Sequence, residues 1–354
     1  MRILVAPDKF KHSLGATDVA ENIAAGLRDI LPDAQITCMP IADGGEGTAR
    51  AICDAARGQP LACEVRDPLG RIVTAHYCTI ENGATAVMEM SEASGLWRLA
   101  SEERDPLRAS TYGTGEMLLD AARRGVREII IGLGGSGTND GGFGMARALG
   151  FRFFDGDHRE LSERVSDLTQ LAQIVAPNEL TLPRITAAVD VRNPLLGERG
   201  ATRIFGPQKG VTPERLAVIE RGLARLSEVV GGNAHEIPGA GGAGGLGFGL
   251  VSFCRAEIRS GFDVVAERIG LRDAMRAHDV VITGEGRLDA QTLEGKGPAG
   301  VAQLARVEGK RVFAIVGAAE GGSELFDRVF VVGSIENAAD LVRERARELA
   351  RLLS

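Results

Sequence analysis

The sequence predicts an α/β protein in which an open parallel sheet is interrupted by a second α/β domain. Apolar strand-like runs alternate with amphipathic helical stretches at the start of the chain, and the same alternation resumes after about Gly261. Between them lies a segment that opens as an antiparallel meander, so it belongs to a different sheet. A length of 354 residues agrees with two domains, because single cores rarely grow beyond about 250–300 residues.

Taken in order, Arg2 to Ala6 reads as the first strand and ends in Pro7-Asp8-Lys9-Phe10-Lys11-His12-Ser13. The next stretch predicts a helix with Thr17 as N-cap and Val19, Ile23, Leu27 and Ile30 on one face. A second strand, Ala34 to Met39, closes in Pro40-Ile41-Ala42-Asp43-Gly44-Gly45-Glu46-Gly47-Thr48, and a short helix runs to about Ala56. Leu61 to Arg66, Ile72 to Ile80 and Ala84 to Met90 are then joined by Asp67-Pro68-Leu69-Gly70 and Glu81-Asn82-Gly83, the tight turns of a meander. A helix near residues 113–124 leads to the strand Ile129-Ile130-Ile131 and an eleven-residue glycine stretch, Gly132 to Gly142. A short helix follows it from Phe143, then a weak strand at Phe151 to Phe154 and another at Ile185 to Val189. A long helix is expected over 213–230, and a second glycine tract, Gly239 to Gly249, opens a helix through Phe253. The last part predicts strands at Val280–Thr283, Arg311–Val316 and Arg328–Val332, with helices near 298–307 and 337–353. Two N-terminal and three C-terminal strands make a five-stranded sheet of flavodoxin-like order 2-1-3-4-5. Its domain is expected at residues 1–58 plus 262–354, with a mixed α/β domain inserted at 59–261.

Composition narrows the function. A net charge of −7 argues against nucleic acid as a partner. No run of 18 or more apolar residues exists, so no membrane span is expected, and the start lacks a signal-peptide pattern, which predicts a cytoplasmic protein. The five cysteines, without CxxC spacing, are expected to be reduced thiols. Only five residues are lysine (Lys9, Lys11, Lys209, Lys296 and Lys310) against 36 arginines, and four of those lysines lie in glycine- or proline-rich stretches. An ammonium is a compact point charge that arginine does not freely replace.

The chemistry these stretches suit is phosphoryl transfer, which needs phosphate donors, a carboxylate-held Mg²⁺ and a group to deprotonate the attacking hydroxyl. Strand, glycine loop and helix make a phosphate cradle from Gly134, Gly135, Ser136, Gly137, Thr138 and Asn139, with Lys209 or Lys296 as point charges. Ser136, Thr138 and Asn139 are read as N-cap residues, and a ligand-free strand-to-helix turn is the alternative. No Gly-Lys-Ser/Thr ends the stretch, and no dinucleotide fingerprint is present. Asp190, Glu285 and Asp289, at or just beyond strand ends, are the metal candidates, of which Mg²⁺ uses one or two. In a 2-1-3-4-5 sheet the switch point brings Asp8 and Lys9 together with Gly284, Glu285 and Gly286. Asp8 is assigned as base, with Lys9 beside it and Lys9 or Lys11 neutralising a substrate carboxylate. A local cap is the alternative for Asp8, and for Asp43. Asp43 and Arg287 complete the substrate side, and Asp190 doubles as a catalytic residue. His12 is read as a contact, His158 and His235 as solvent-exposed, and Trp97 as packing.

Five stretches now carry a resemblance: Ala6 to Lys11, Ile41 to Thr48, Gly134 to Gly142, Phe205-Gly206-Pro207-Gln208-Lys209-Gly210 and Thr283-Gly284-Glu285-Gly286-Arg287-Leu288-Asp289. In order along the whole chain, they resemble the bacterial type I glycerate kinase family. The chain departs from that family at Lys9 and His12, where Ser and Gly are frequent. The resemblance implies ATP-dependent phosphorylation of D-glycerate at the 2-hydroxyl, with phosphorylation of the 3-hydroxyl or a non-catalytic nucleotide or sugar-acid sensor as alternatives. It also implies a flavodoxin-like domain with an insert similar to the restriction-endonuclease fold. A monomer or homodimer is expected.

Overall fold

The structure, a computed structural model, describes residues 1–11, 13–288, 297–334 and 336–354. Among these the strands, in chain order, are β1 (Arg2–Val5), β2 (Gln35–Cys38), β3 (Gln59–Arg66), β4 (Ile72–Ile80), β5 (Thr85–Glu89), β6 (Glu128–Gly132) and β7 (Arg152–Asp155). They continue as β8 (Leu171–Val175), β9 (Arg184–Val189), β10 (Glu257–Ser260), β11 (Val280–Leu288), β12 (Arg311–Ala319) and β13 (Arg328–Val331). The fold is mixed α/β with parallel sheets. The chain divides into two compact units: Met1–Asp43 with Arg50–Ala55 and Phe262–Ser354, and Gly44–Ala49 with Ala56–Gly261.

The first unit holds a five-stranded sheet of order β2-β1-β11-β12-β13, every pair parallel. Ile3, Leu4, Val5, Val281, Ile282, Ala314, Ile315 and Val316 have no exposed surface, as continuous apolar runs require in parallel strands covered on both faces. The helices Ala16–Ile30 and Ala338–Leu353 send Val19, Ile23, Leu27, Val342, Ala346 and Leu349 into one core with Ile3, Val5, Ile282, Phe313 and Ile315. The first helix starts one residue before the expected N-cap. Its cap is Gly15, whose N–H donates to the Asp18 carboxylate at 3.3 Å. β11 also runs past Thr283, in register with β12 at Glu285↔Val316 and Arg287↔Ala318, so both residues lie within the strand.

In the second unit a six-stranded sheet runs β10-β9-β6-β5-β4-β3. The pairs β3–β4 and β4–β5 are antiparallel, the expected meander, and β5, β6, β9 and β10 pair in parallel. β6 is central and buried along its length, which places the glycine stretch at the middle of the sheet's edge. The core gathers Ile129, Ile131, Phe143, Phe153, Ile185, Leu223, Leu226, Leu246 and Phe248.

Three side-chain expectations are corrected here. Trp97 is 64% exposed; its indole N–H reaches the Ser91 carbonyl at 3.0 Å and the Arg98 guanidinium covers the ring at 4.3 Å. Cys53 and Cys78 are disulfide-bonded, whereas Cys38, Cys63 and Cys254 are free thiols. His235 is half-buried, not exposed. Among the described residues no helix is long and apolar enough to cross a membrane.

Candidate functional site

Two groups of the sequence-predicted residues assemble, one in each unit. In the first unit β1 ends at Val5 and the chain stays alongside β11: the Ala6 N–H donates to the Ile282 carbonyl at 2.7 Å and the Asp8 N–H to the Gly284 carbonyl at 2.8 Å. Asp8 is 8% exposed, and its Oδ1 accepts the Lys9 backbone N–H at 2.7 Å. The start of the helix Gly297–Val307 lies against Oδ2, where a Cβ added to Gly297 would stand 3.1 Å away. Burial first, and then the neighbouring Asp43 carboxylate, push the Asp8 carboxyl up to about 7, against the pull of the Lys9 N–H and of the Lys9 and Lys11 ammonium groups. A carboxyl poised there is half ionised near neutrality, the condition for a general base.

The other first-unit residues surround it unevenly. Lys9, Asp43 and Glu285 are half-buried and Lys11 is exposed. Arg287 reaches out to the Glu320 carboxylate, and both are more than half exposed. His12, Asp289 and Lys296 lie outside the described residues.

In the second unit the glycine stretch follows β6, and Asp190 follows β9, its parallel neighbour. The Leu133 N–H donates to the Ala188 carbonyl at 3.0 Å, so the loop and Asp190 leave the sheet side by side. Only Gly134 and Gly135 of the loop reach solvent, and from Ser136 to Phe143 it is buried. Gly135 has φ +66°, a left-handed conformation that turns the chain at the exposed point.

Beneath the loop lies Lys209, 1% exposed, whose Nζ donates to Ser136 Oγ at 2.6 Å and to the Thr138 carbonyl at 2.8 Å. Burial lowers this ammonium to about 7, and the nearby Asp140 carboxylate offsets part of that. The lysine expected as a phosphate point charge is thus a clamp that fixes the loop from inside. The glycine tract near 242–245 completes the support. Gly244 has φ +68°, and a Cβ there would lie 2.1 Å from the Thr138 carbonyl oxygen. Backbone packs directly on backbone, which explains the second tract without a ligand.

The cap assignment is corrected. The N-cap residue of the helix Phe143–Ala148 is Gly142, and the side chain that takes amides at its start is Asp140, not Ser136, Thr138 or Asn139. The Asp140 carboxylate is fully buried and accepts from Gly142 N and Gly144 N at 3.0 Å and from Thr111 N and Oγ1 at 2.8 Å. Burial raises its pKa, and the four donors work against the rise. The amides at the helix start are therefore occupied, and the part of the cradle left for an anion is the turn at Gly134–Ser136. Asn139 Nδ2 donates to Thr202 Oγ1 at 2.9 Å, while the Thr138 hydroxyl is buried without a partner among the described residues.

Thr111, Asp140 and Glu89 are supporting residues that the sequence reading did not single out. Glu89 Oε1 accepts Gly47 N at 2.9 Å and Ala49 N at 3.0 Å, capping the helix Thr48–Ala56 from a distant strand. A signal existed only for Asp140, an aspartate two residues before a glycine at a helix start. The partners of Thr111 and Glu89 come from remote parts of the sequence, beyond any local pattern.

Comparison with known proteins shows the family. The model of the glycerate kinase family matches residues 3–353. A glycerate kinase of Haemophilus influenzae is 39% identical over 362 residues, covering 99% of this chain and 96% of that protein. Glycerate 2-kinase of Escherichia coli is 43% identical over 324 residues, covering 90% and 85%. A crystal structure from Salmonella typhimurium LT2, provisionally called glycerate kinase 2, superposes with a TM-score of 0.89 at 40% identity and covers 100% of this chain and 98% of that one. With a family match from the first strand to the last helix, this chain belongs to the glycerate kinase family.

Proposed function

We propose that this protein transfers the γ-phosphoryl group of ATP to the 2-hydroxyl of D-glycerate, giving 2-phosphoglycerate and ADP. The observation that carries this reading is the buried Asp8 carboxyl at the end of β1, held near 7 with Lys9 and Lys11 beside it. Family membership supplies the substrate pair: the relatives are named glycerate kinase and glycerate 2-kinase.

We assign the roles as follows. Lys9, Lys11 and Arg287 offer positive charge for the substrate carboxylate, and Asp43 accepts a hydrogen bond from a substrate hydroxyl. Asp8 Oδ1 is engaged by the Lys9 N–H, which leaves Oδ2 to take the proton of the 2-hydroxyl. The hydroxyl oxygen forms a bond to the γ-phosphorus, the bond from that phosphorus to the bridging oxygen breaks, and ADP leaves with those electrons. The turn at Gly134, Gly135 and Ser136, with Gly137, Thr138 and Asn139 behind it, binds the ATP phosphates, and Lys209 keeps that turn in place.

Mg²⁺ suits the donors at hand. It takes hard oxygen ligands and typically one or two carboxylates besides phosphate oxygens. Among the described residues no group of three or more His, Cys, Asp or Glu side chains forms a metal cage. Asp190, which follows β9 beside the glycine loop, is the carboxylate we assign to it first, with Glu285 and Asp289 as the alternative candidates. The ion would neutralise phosphate charge. In the same reading a domain at 1–58 plus 262–354 is flavodoxin-like, which the strand order β2-β1-β11-β12-β13 supports. The insert at 59–261 is similar to the restriction-endonuclease fold. ADP release measured with and without D-glycerate, for wild type and Asp8→Asn, tests the proposal; glycerate-independent release would sink it.

A further inference from the structure

A cavity of about 340 Å³ lies within the second unit, apart from the glycine turn, where the Asp67–Gly70 turn, the segment before the helix Tyr112–Arg123 and residues 162–164 meet. Three arginines line it: Arg66, Arg108 and Arg164. On a protein of net charge −7 such a concentration of guanidinium groups needs an explanation.

Two of the three lack the usual answer. Arg108 and Arg164 are exposed, and neither makes an ion pair among the described residues. Arg66 is held in place: its guanidinium stacks on the Tyr112 ring at 4.2 Å, with the Glu116 carboxylate 3.7 Å from Nε. The acid in the wall, Asp67, is already committed. It accepts from Leu69 N and Arg71 N at 2.9 Å and from Arg71 Nε at 2.5 Å, which also rigidifies the turn. Glu163, an exposed residue, is the one lining acid not bonded to a basic side chain among the described residues. Ser110, also in the lining, adds a hydroxyl.

From this we infer that the cavity is a second anion site, built for a small organic phosphate that also carries a carboxylate, and separate from the residues assigned to ATP and glycerate. Guanidinium forks match both groups through paired N–H donors, which a scattered surface charge does not do. The volume suits a molecule of a few carbons. Neither Arg108 nor Arg164 is part of the proposed catalytic set, so the site offers a place where a phosphorylated acid regulates the enzyme or is held after leaving it.

Isothermal titration with phosphoenolpyruvate and with inorganic phosphate, on the full chain, tests the inference. Phosphoenolpyruvate should bind more tightly than phosphate, because its phosphate and its carboxylate can each engage a guanidinium group. The double variant Arg108→Ala/Arg164→Ala should weaken phosphoenolpyruvate at least about tenfold, as loss of two charge-assisted contacts implies. Its circular dichroism and basal turnover should match wild type, and Arg108→Lys/Arg164→Lys should recover part of the affinity. No binding at millimolar ligand, or equal affinity in the alanine variant, overturns the site. Loss of binding together with loss of basal turnover overturns its separateness, since the cavity would then belong to the catalytic machinery.

Discussion

Replacing Asp8 by asparagine separates two consequences of one buried carboxyl. In the native protein the group is held at about 7, compared with the ordinary 3.8 of an aspartate. Between those values the folded state binds more protons than the unfolded chain, so the contribution of Asp8 to stability falls as pH rises from 3.8 towards 7. With each pK unit worth about 1.36 kcal/mol, the penalty above neutrality is on the order of 4 kcal/mol. Asparagine keeps the shape and the acceptor for the Lys9 N–H but removes the charge. Asp8→Asn should therefore melt higher than wild type at pH 8, and the difference should shrink as the pH approaches 4. Turnover should move the other way, falling by roughly 10²–10⁴-fold as for loss of a general base. In wild type, kcat/KM should climb with pH and level off above about 8, with roughly a tenth of the carboxyl ionised at pH 6 and half at pH 7. Initial rates from pH 5 to 9 and thermal melts over the same range measure both. A flat pH profile, or a variant that turns over normally, refutes the base assignment; a variant less stable at pH 8 refutes the burial argument.

Three more perturbations probe the second unit. Lys209→Met removes the donor to Ser136 and Thr138 and should weaken ATP by about tenfold, since a buried acceptor left unpaired costs about 1–3 kcal/mol. Because Lys209 is lowered to about 7 from 10.5, the unfolded chain binds more protons between those values. Wild-type stability from this group should rise through that window, and urea melts of the methionine variant should lose that rise. Gly135→Val places a branched side chain at φ +66° and should weaken ATP more than glycerate in equilibrium titrations; unchanged ATP affinity in a folded variant would remove the phosphate turn. Asp190→Asn should lower kcat by about 10²–10³-fold at every Mg²⁺ concentration, the scale of one lost transition-state contact, and normal turnover would shift the metal assignment to Glu285.

The central strands were legible because β1, β6 and the first half of β11 are unbroken apolar runs, a pattern set by burial on both faces. The edges were not. β10, Glu-Ile-Arg-Ser, carries one large apolar residue, and β8 carries Gln173 among its five, so neither shows a period. β11 was read short because Glu285 and Arg287 look like loop residues, although their pairing with β12 continues the ladder. The positions of the site motifs were legible as glycine and charge at strand ends. Their internal bonding was not: Lys209 reads from sequence as a phosphate point charge, and only the fold reveals Ser136 and Thr138 as its partners. Trp97 misled in the opposite direction, since a large apolar residue near leucines is not always covered.

The most direct measurement is phosphorus NMR of the reaction of purified protein with ATP, Mg²⁺ and D-glycerate. The account predicts the resonance of 2-phosphoglycerate growing in step with ADP, dependent on D-glycerate and absent with Asp8→Asn. Free phosphate alone, or ADP formed without glycerate, would contradict it, and 3-phosphoglycerate as the first product would contradict the assignment of the 2-hydroxyl.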